Sequence, residues 1–295
     1  MSSKDPNFAL WLARLAPNTQ AAYSLAWRQL EAFRGALDGL EYQDIAAWVA
    51  DLRTKKRSSS TIALKLAAVS SYFAFLERDL RLQVQNPACG RMLRPKVALY
   101  GKATHLDQQS VKKLLWELNR AKPVGARDYA LILAYIVTMR RNTELRMLKY
   151  GDISFSSGAV WYTWSGKGKT DQRFELPAEV WEAIEYYLKV SGRLATIQPG
   201  DYIFSSISSA GRRPLTMRWV NRMLKRHLRR AGLDEKIHIH SLRHTGALLR
   251  KAAGINPADI SADLGHSNLA VTSIYLQAIE GRRDQSSRKV MELIQ

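Results

Sequence analysis

The stretch His240-Ser-Leu-Arg-His-Thr245, followed by Leu264-Gly-His-Ser267 and then by Tyr275, decides how the fold and the chemistry of this chain are read. A helix that starts at Ser241 would hold Arg243 and His244 in its first turn. Unpaired backbone N–H groups and the helix dipole favour an anion there. Tyr275 adds a hydroxyl nucleophile further along the chain. The stretch therefore predicts a phosphate-binding helix that works with a nucleophile.

In their order and spacing these motifs resemble the signature of the tyrosine recombinases, also called the phage integrase family. The resemblance implies an enzyme that attacks DNA with Tyr275, forms a 3′-phosphotyrosine intermediate and rejoins the strands. It implies that His240, Arg243 and His266 contact the scissile phosphate or move the proton of the tyrosine. It implies no cofactor, because exchanging one phosphate linkage for another needs neither a metal nor ATP.

The segment Thr138-Met-Arg-Arg-Asn-Thr-Glu-Leu145 resembles the family pattern T-G-L-R-x-x-E-L. That register selects Arg141 as the first catalytic arginine, with Glu144 three residues later on the same helical face. Met139 and Arg140 stand where the family usually has glycine and an apolar residue, so Arg140 remains the alternative. Taken alone, the motif would be read as a surface Arg–Glu pair.

The run from Asp152 to Leu176 alternates short β-like segments with Ser-Gly turns, which predicts a small antiparallel sheet. Its central turn, Ser165-Gly-Lys-Gly-Lys169, resembles the β-hairpin with which the family presents a lysine to the cleavage site. The resemblance assigns Lys167 as the proton donor to the departing 5′ oxygen. Lys169 is the alternative and a predicted DNA contact.

The 295 residues carry 45 Lys and Arg against 26 Asp and Glu, a net charge of +19. So large an excess of positive charge indicates a polyanionic partner, and nucleic acid is the first candidate. The single cysteine, Cys89, excludes an intramolecular disulfide and a multi-cysteine zinc site. A zinc site built from the histidines is disfavoured, since Asp263 is one of few carboxylates nearby. No signal sequence or 18-residue apolar run is evident, which predicts a cytoplasmic protein without a membrane partner.

The length favours two domains. Residues 1–94 read as a bundle of helices and resemble the core-binding domain of the family. A helix capped by Ser60 or Thr61 carries Lys65, and the resemblance places Thr61 and Lys65 toward the major groove. A solvated helix face is the alternative reading of both residues. Residues 95–105 form a basic linker that would let two domains close around a duplex.

Residues 106–280 form the predicted catalytic domain, so the fold class is mainly α with a small antiparallel β-sheet: an N-terminal helical bundle and an integrase-like catalytic domain. Its helix over 216–231 is strongly basic on one side and is expected to follow a phosphate strand. Residues 281–295 hold a short apolar stripe. In the family such a terminal helix docks into a neighbouring protomer, which implies a homo-tetramer on double-stranded DNA.

The chain leaves no room for the arm-binding domain of larger phage integrases, so we expect a simple recombinase of the kind found in dimer resolution, integrons or transposons. Two other functions stay open. One is a DNA-relaxing enzyme similar to type IB topoisomerases. The other is a catalytically silent DNA-binding protein on the same fold.

Overall fold

The computed structural model describes residues 6–90, 93–96, 104–164, 172–209 and 211–265. The chain divides into two compact units, Met1–Ala98 and Leu99–Gln295. The division falls inside the segment 95–105 that the sequence predicts as a linker.

The described part of the N-terminal unit contains four helices. They are α1 (Pro6–Ala13), α2 (Pro17–Arg34), α3 (Tyr42–Thr54) and α4 (Ser59–Arg78). The last three follow the predicted bundle, whereas α1 was not predicted. Helix α4 is capped by Ser58, whose hydroxyl accepts a hydrogen bond from the backbone N–H of Thr61. The cap predicted at Ser60 or Thr61 is therefore wrong, because Ser58 precedes the first helical turn and reaches its free N–H groups.

Aromatic side chains fill the centre of the N-terminal unit. Trp11, Trp27 and Tyr72 pack with ring centroids 5.2 to 6.4 Å apart, mostly edge to face, as aromatic pairs prefer. Helix α4 runs through this core. Among the described residues it is the one helix whose length and apolar composition would suffice to cross a membrane, and here its buried face forms part of the core.

The second unit contains seven helices in its described part and one sheet. The helices are α5 (Gln108–Glu117), α6 (Pro123–Thr138), α7 (Asn142–Arg146), α8 (Ala178–Val190), α9 (Met217–Arg230), α10 (Ile239–Ala252) and α11 (Pro257–Leu264). The strands are β1 (Ile153–Ser156), β2 (Ala159–Trp164) and β3 (Gln172–Leu176), paired antiparallel in the order β1-β2-β3. The predicted class, mainly α with a small antiparallel sheet, is confirmed.

Helix α6 is the centre of this unit. It is apolar over most of its length, and α8 and α10 pack against it. Gly246 sets the distance between α6 and α10: a Cβ at this position would lie 2.1 Å from the carbonyl oxygen of Ile136. Only a residue without a side chain permits this approach, so the sequence at Gly246 brings the start of α10 close to the end of α6.

Candidate active site

Helix α10 begins earlier than the sequence suggested. His238 is its N-cap residue and Ile239 its first helical residue. Arg243 therefore lies beyond the first turn, and the predicted start at Ser241 is wrong. The hydroxyl of Ser241 accepts a hydrogen bond from the backbone N–H of His238, which stabilises the earlier start. The exposed residue of the first turn is His240.

The guanidinium of Arg243 joins the chain segments that lead to the other predicted catalytic residues. Arg243 is 4% exposed, and its Nη1 donates to the carbonyl oxygen of Met139 at 2.6 Å. Its Nη2 donates to the carbonyl oxygen of Leu264 at 2.5 Å. Met139 lies two residues before Arg141, and Leu264 lies two residues before His266. One side chain thus fixes three parts of the chain at one place.

A second arginine of α10, about two helical turns after Arg243, also bonds to the end of α6 and to α11. Arg250 donates from Nη2 to the carbonyl oxygen of Val137 at 2.8 Å and pairs through Nε with Asp263 at 3.1 Å. The carbonyls at the end of α6 are unpaired within their own helix and lie at its negative pole, so cations are favoured there. Arg243 and Arg250 together hold α6, α10 and α11 in a fixed arrangement.

Met139 ends α6 in the left-handed region, with φ of +52°. The conformation is uncommon for a residue with a side chain, and the family pattern has glycine at this position. Here the Met139 side chain is fully buried in a small cluster with Ala247, Ile260 and Leu264. Its packing between α10 and α11 offsets part of the cost of the strained backbone.

Arg141 follows this turn and precedes α7. Its Nη1 lies 3.1 Å from Oε1 of Glu144, and its backbone N–H donates to Oε2 of the same carboxylate. The Arg141 side chain is 54% exposed, whereas that of Glu144 is 8% exposed. The buried carboxylate therefore holds an arginine that still presents part of its guanidinium to solvent.

The neighbouring Arg140 turns the other way. It is 8% exposed, and its Cζ lies 3.7 Å from the centroid of the Phe174 ring in β3. The two consecutive arginines thus lie in different environments: Arg141 is open to solvent, and Arg140 packs on the sheet. This difference could not be predicted from the sequence, since both side chains have the same chemistry.

His240 shares its surroundings with the two predicted catalytic arginines. His240 is exposed as a whole residue, but neighbouring atoms partly desolvate its ring and so lower its pKa, and the charges of Arg243, His238 and Arg141 lower it further. The ring is 4.6 Å from that of His244, measured between centroids. Burial lowers the pKa of His244 to about 3. Both rings are therefore neutral at neutral pH, and Arg141, His240 and Arg243 form one electrostatic group.

The remaining predicted catalytic residues lie outside the described residues. They are Lys167, His266 and Tyr275, together with the predicted DNA contact Lys169. Their predictions rest on the sequence. The residues next to them in the described chain are Trp164 and Gln172, which pair across β2 and β3, and Gly265, which ends α11.

The two predicted DNA contacts of the N-terminal unit differ in exposure. Thr61 is partly exposed and bonds the hydroxyl of Ser58. Lys65 is 7% exposed, its Nζ is hydrogen-bonded to Gln29, and it lies 5.6 Å from the Trp48 ring centroid. Burial lowers the pKa of Lys65, with a smaller effect of Arg57. Helix α4 turns this position toward the core, whereas a solvated face or an exposed DNA contact was expected, and the contact of Lys65 with DNA stays a prediction.

Helix α9 carries six exposed basic residues, and their partners separate them into two groups. Arg226, Arg229 and Arg230 pair with Asp128, Glu235 and Glu117 respectively. Arg218, Arg222 and Lys225 are exposed and form no ion pair with a carboxylate in the described chain. Their spacing of four and three residues places them on one face of the helix. Among the described residues, this face is a basic surface whose side chains form no ion pair with a carboxylate.

Within the described ranges, no group of three or more His, Cys, Asp or Glu side chains is arranged to hold a metal ion. Asp263, the carboxylate nearest in sequence to His266, pairs with Arg250 instead.

Comparison with known proteins places this geometry in context. A family model described as "Phage integrase family" matches residues 104–282, and one described as "Phage integrase, N-terminal SAM-like domain" matches residues 8–79. The chain is 28% identical to a tyrosine recombinase of Pseudothermotoga lettingae over 293 residues, which cover 97% of this chain and 96% of the relative. It is 30% identical to tyrosine recombinase XerC of Bacillus pumilus over 249 residues, 81% of this chain and 78% of the relative.

A solved structure of similar fold is the Tn1549 transposon integrase in complex with transposon right end DNA. Its TM-score is 0.71 at 20% identity, and the match covers 95% of this chain and 94% of that chain. At this identity the likeness concerns the fold, and the structural match extends over nearly all of both chains.

Proposed function

Because the chain belongs to the phage integrase family of tyrosine recombinases, which are DNA strand-transferring enzymes, we propose that it cleaves and rejoins the strands of a recombination site through Tyr275. Arg141, Lys167, His240, Arg243 and His266 are the other residues of this reaction. The intermediate is a 3′-phosphotyrosine with a free 5′-hydroxyl, and neither a metal nor ATP takes part.

The observation that carries the proposal is the position of the Arg243 guanidinium between the carbonyls of Met139 and Leu264. This bond pair links the segments that lead to Arg141 and to His266, which are far apart in sequence. A phosphodiester can be surrounded only if these segments meet, because its non-bridging oxygens need donors from more than one direction. The arrangement supports the predicted assignment of catalytic residues.

Arginine suits the charge that develops during the attack. The phosphorane-like transition state gathers negative charge on the non-bridging oxygens, and the planar guanidinium donates to two oxygens at once. Arg141 keeps an exposed fraction of 54% beside the buried Glu144, so it can reach a phosphate without leaving its carboxylate. Glu144 then holds the guanidinium in place before DNA arrives, which lowers the entropic cost of ordering it.

The tyrosine needs help to lose its proton, because a phenol with a pKa near 10 is ionised in only about one molecule in a thousand at neutral pH. Neighbouring guanidinium groups favour the phenolate. His240 is neutral at neutral pH, since partial desolvation of its ring and the nearby arginines lower its pKa. A neutral imidazole can accept the phenol proton or donate a hydrogen bond to a phosphate oxygen.

The leaving 5′ oxygen needs a proton in the same step, and Lys167 is assigned to supply it. Lys167 stands in the connection between β2 and β3, whose ends pair at Trp164 and Gln172. The resemblance carries this assignment, and Lys169 remains the alternative.

Double-stranded DNA is the proposed partner. The net charge of +19 favours it through the release of counterions from the phosphates. Arg218, Arg222 and Lys225 on α9 are proposed phosphate contacts, because they are exposed on one helical face and no ion pair of theirs with a carboxylate is seen among the described residues. Thr61 is retained as a proposed contact, and Lys169 is a further one from sequence.

The assembly on DNA is proposed to be a homo-tetramer in which residues 281–295 dock on a neighbouring protomer. Their apolar residues, Val290, Met291, Leu293 and Ile294, are too few to form a core of their own. We also propose a cytoplasmic location for the protein.

Removal of residues 281–295 should leave single-strand cleavage but abolish strand exchange, measured on paired sites in solution.

Covalent trapping tests the function. Wild type, Tyr275→Phe and Tyr186→Phe are incubated in EDTA with nicked duplexes taken from DNA flanking the gene, and the products are separated on a denaturing gel. We expect a protein–DNA band with wild type and with Tyr186→Phe, which removes an exposed hydroxyl elsewhere. Tyr275→Phe should bind the same DNA and give no band.

Two results would contradict the proposal. Specific binding without a covalent band in wild type would favour a silent DNA-binding protein. A band that is unchanged in Tyr275→Phe would assign the nucleophile to a different residue.

A further inference from the structure

Arg140 is a buried cation for which no anionic partner is seen among the described residues. Within the described chain no carboxylate lies in ion-pairing range of it, and its Nε has no hydrogen-bond partner. Removing a charge from water costs desolvation free energy unless another interaction compensates for it. A buried arginine therefore calls for a structural or functional explanation. The family resemblance does not supply one, because the family pattern has an apolar residue at this position.

The compensation comes from an aromatic ring. The Arg140 guanidinium lies over Phe174 at 3.7 Å, well inside the range of a cation–π contact. Phe174 pairs across the strands with Tyr162, and the two ring centroids are 5.6 Å apart. The Tyr162 hydroxyl is also buried, and the Arg140 side chain interacts with it both by its charge and by hydrogen bonding. Arg140 therefore packs on a two-ring platform formed by β2 and β3.

The surroundings of Arg140 differ from those of the proposed catalytic group. The charges that lower the pKa of His240 are those of Arg243, His238 and Arg141. The Arg140 charge acts instead on Tyr162, whose pKa is raised by burial and lowered in part by Arg140. The side chain of Arg140 is thus directed to the sheet, and that of Arg141 to the group around His240.

The backbone on both sides of Arg140 is held by hydrogen bonds. The carbonyl of Met139 accepts from Arg243, and the backbone N–H of Arg141 donates to Glu144. Arg140 connects this fixed loop directly to β3. Phe174 is the third residue of β3, just after the connection that contains Lys167.

We propose that Arg140 is a positioning residue, which fastens β3 to the loop that carries Arg141 and so sets the distance between the sheet and the arginine group. The proposal rests on the proposed function. Arg140 does not contact the phosphate in this account, and its effect on the reaction passes through the strand pair that leads to Lys167.

The test uses two DNA substrates that differ in the leaving atom. In one, the scissile bond is P–O5′; in the other, sulfur replaces that bridging oxygen. The tyrosine oxygen bonds to phosphorus in both, and the P–O or P–S bond breaks. A thiolate departs without a proton, whereas the oxygen must receive one, so only the oxygen substrate depends on a well-placed general acid.

Arg140→Met removes the charge and the planar group at similar length. We expect it to slow covalent-complex formation at least about tenfold on the oxygen substrate and less than about threefold on the sulfur substrate, a difference in the range of general-acid catalysis. Phe174→Leu, which removes the other side of the contact, should do the same. Arg141→Lys should slow both substrates, since a phosphate contact matters for either leaving atom.

The matched control is Arg173→Met. Arg173 lies 4.6 Å from the Trp161 ring centroid, so it is also an arginine on an aromatic ring of this sheet, but it is exposed and no contact of it with the Arg141 loop is seen among the described residues. It should leave both rates unchanged.

Hydrogen exchange provides a second readout that needs no activity. The amides of β3, residues 172–176, should exchange faster in Arg140→Met than in Arg173→Met or wild type. Unchanged exchange would overturn the anchoring. Equal losses on both substrates would overturn the positioning role in favour of a direct phosphate contact, and no loss on either would show that the contact is dispensable. If wild type itself cleaves neither substrate, the proposed function fails, while the exchange data still decide whether Arg140 anchors β3.

Discussion

The two arginines that the sequence assigned to the phosphate occupy different settings. Arg141 is half exposed and paired with one carboxylate, whereas Arg243 is buried and bonded to two backbone carbonyls. Substituting either should abolish cleavage, but only the second should also affect the fold. Arg141 is thus expected to act in the reaction alone, whereas Arg243 is expected to act in the reaction and to stabilise the fold.

For Arg141→Lys we expect loss of covalent-complex formation with little change in stability. For Arg243→Lys we expect the same loss and a decrease of about 1–3 kcal/mol in the free energy of unfolding, because buried carbonyls lose their donors. Denaturant titration of both variants, with DNA binding measured alongside, checks this. Equal stability of the two variants would show that the bonds of Arg243 to Met139 and Leu264 do not support the fold.

The buried His244 should make stability depend on pH. Its pKa is about 3 in the folded protein and near 6.5 in the unfolded chain, so the unfolded chain binds a proton more readily. The stability that the neutral ring contributes is present above pH 6.5 and is lost as pH falls toward 3.

His244→Gln removes this titration. Between pH 7 and pH 5 the unfolding free energy of wild type should therefore fall by about 2 kcal/mol more than that of the variant. Denaturant titration at the two pH values gives the comparison, and each protein serves as its own reference. A parallel pH dependence of wild type and variant would exclude this role of His244.

Single residues were partly predictable. The spacing of Arg141 and Glu144 foretold their ion pair, but not its geometry: Arg141 is the N-cap of α7, and Glu144, the third helical residue, reaches back to it. The burial of Lys65 was not foretold. A lysine beside exposed polar residues reads as solvated, and only the packing of α2 and α3 around α4 shows that this position faces the core.

At the scale of elements, the approach of α10 to α6 depends on the missing side chain at Gly246. Gly246→Ala would place a methyl group against the Ile136 carbonyl and push α10 outward. We expect a lower melting temperature and a weaker contact between Arg243 and Met139, hence slower cleavage. An overpacked site of this kind costs about 1–3 kcal/mol.

Gly200→Ala is the matched control. A Cβ at Gly200 would meet no atom within 4 Å, and its backbone conformation suits any residue. It should leave melting temperature and cleavage unchanged. A Gly246→Ala protein that melts and cleaves like Gly200→Ala would show that α10 has room to shift.

Elements were predicted better than their ends. The helical and strand periods in the sequence are local, so their positions followed from it. The start of α10 did not, because the capping contact of Ser241 with His238 depends on where the chain turns into the helix. Helix α1 was missed since a short apolar segment without a capping signal has no distinct pattern.

For the molecule as a whole, charge and its distribution govern DNA binding. Arg222→Ala should weaken binding and reduce the salt slope by about 0.9, as expected for one lost phosphate contact. Arg229→Ala on the same helix should change little, because Arg229 pairs with Glu235 at 2.8 Å. Affinities measured across a range of salt concentrations distinguish the two. Equal slopes would show that ion pairing within the protein does not select the contacting residues.

The division into two units and the family were predictable from length and motifs, since both depend on features that are spread along the chain. The separation of basic residues on α9 into paired and unpaired groups was not, because the acidic partners Asp128 and Glu117 come from elements far away in sequence.

The most direct test of the account identifies the residue that holds the DNA. Wild type trapped on a nicked duplex is digested with trypsin and nuclease, and the peptide that carries the 3′-phosphate is sequenced by mass spectrometry. We predict the peptide of residues 252–282, in which Tyr275 is the one tyrosine. A phosphate on any other of the 12 tyrosines, or on no tyrosine in a trapped complex, would contradict the assignment of Tyr275 as the nucleophile.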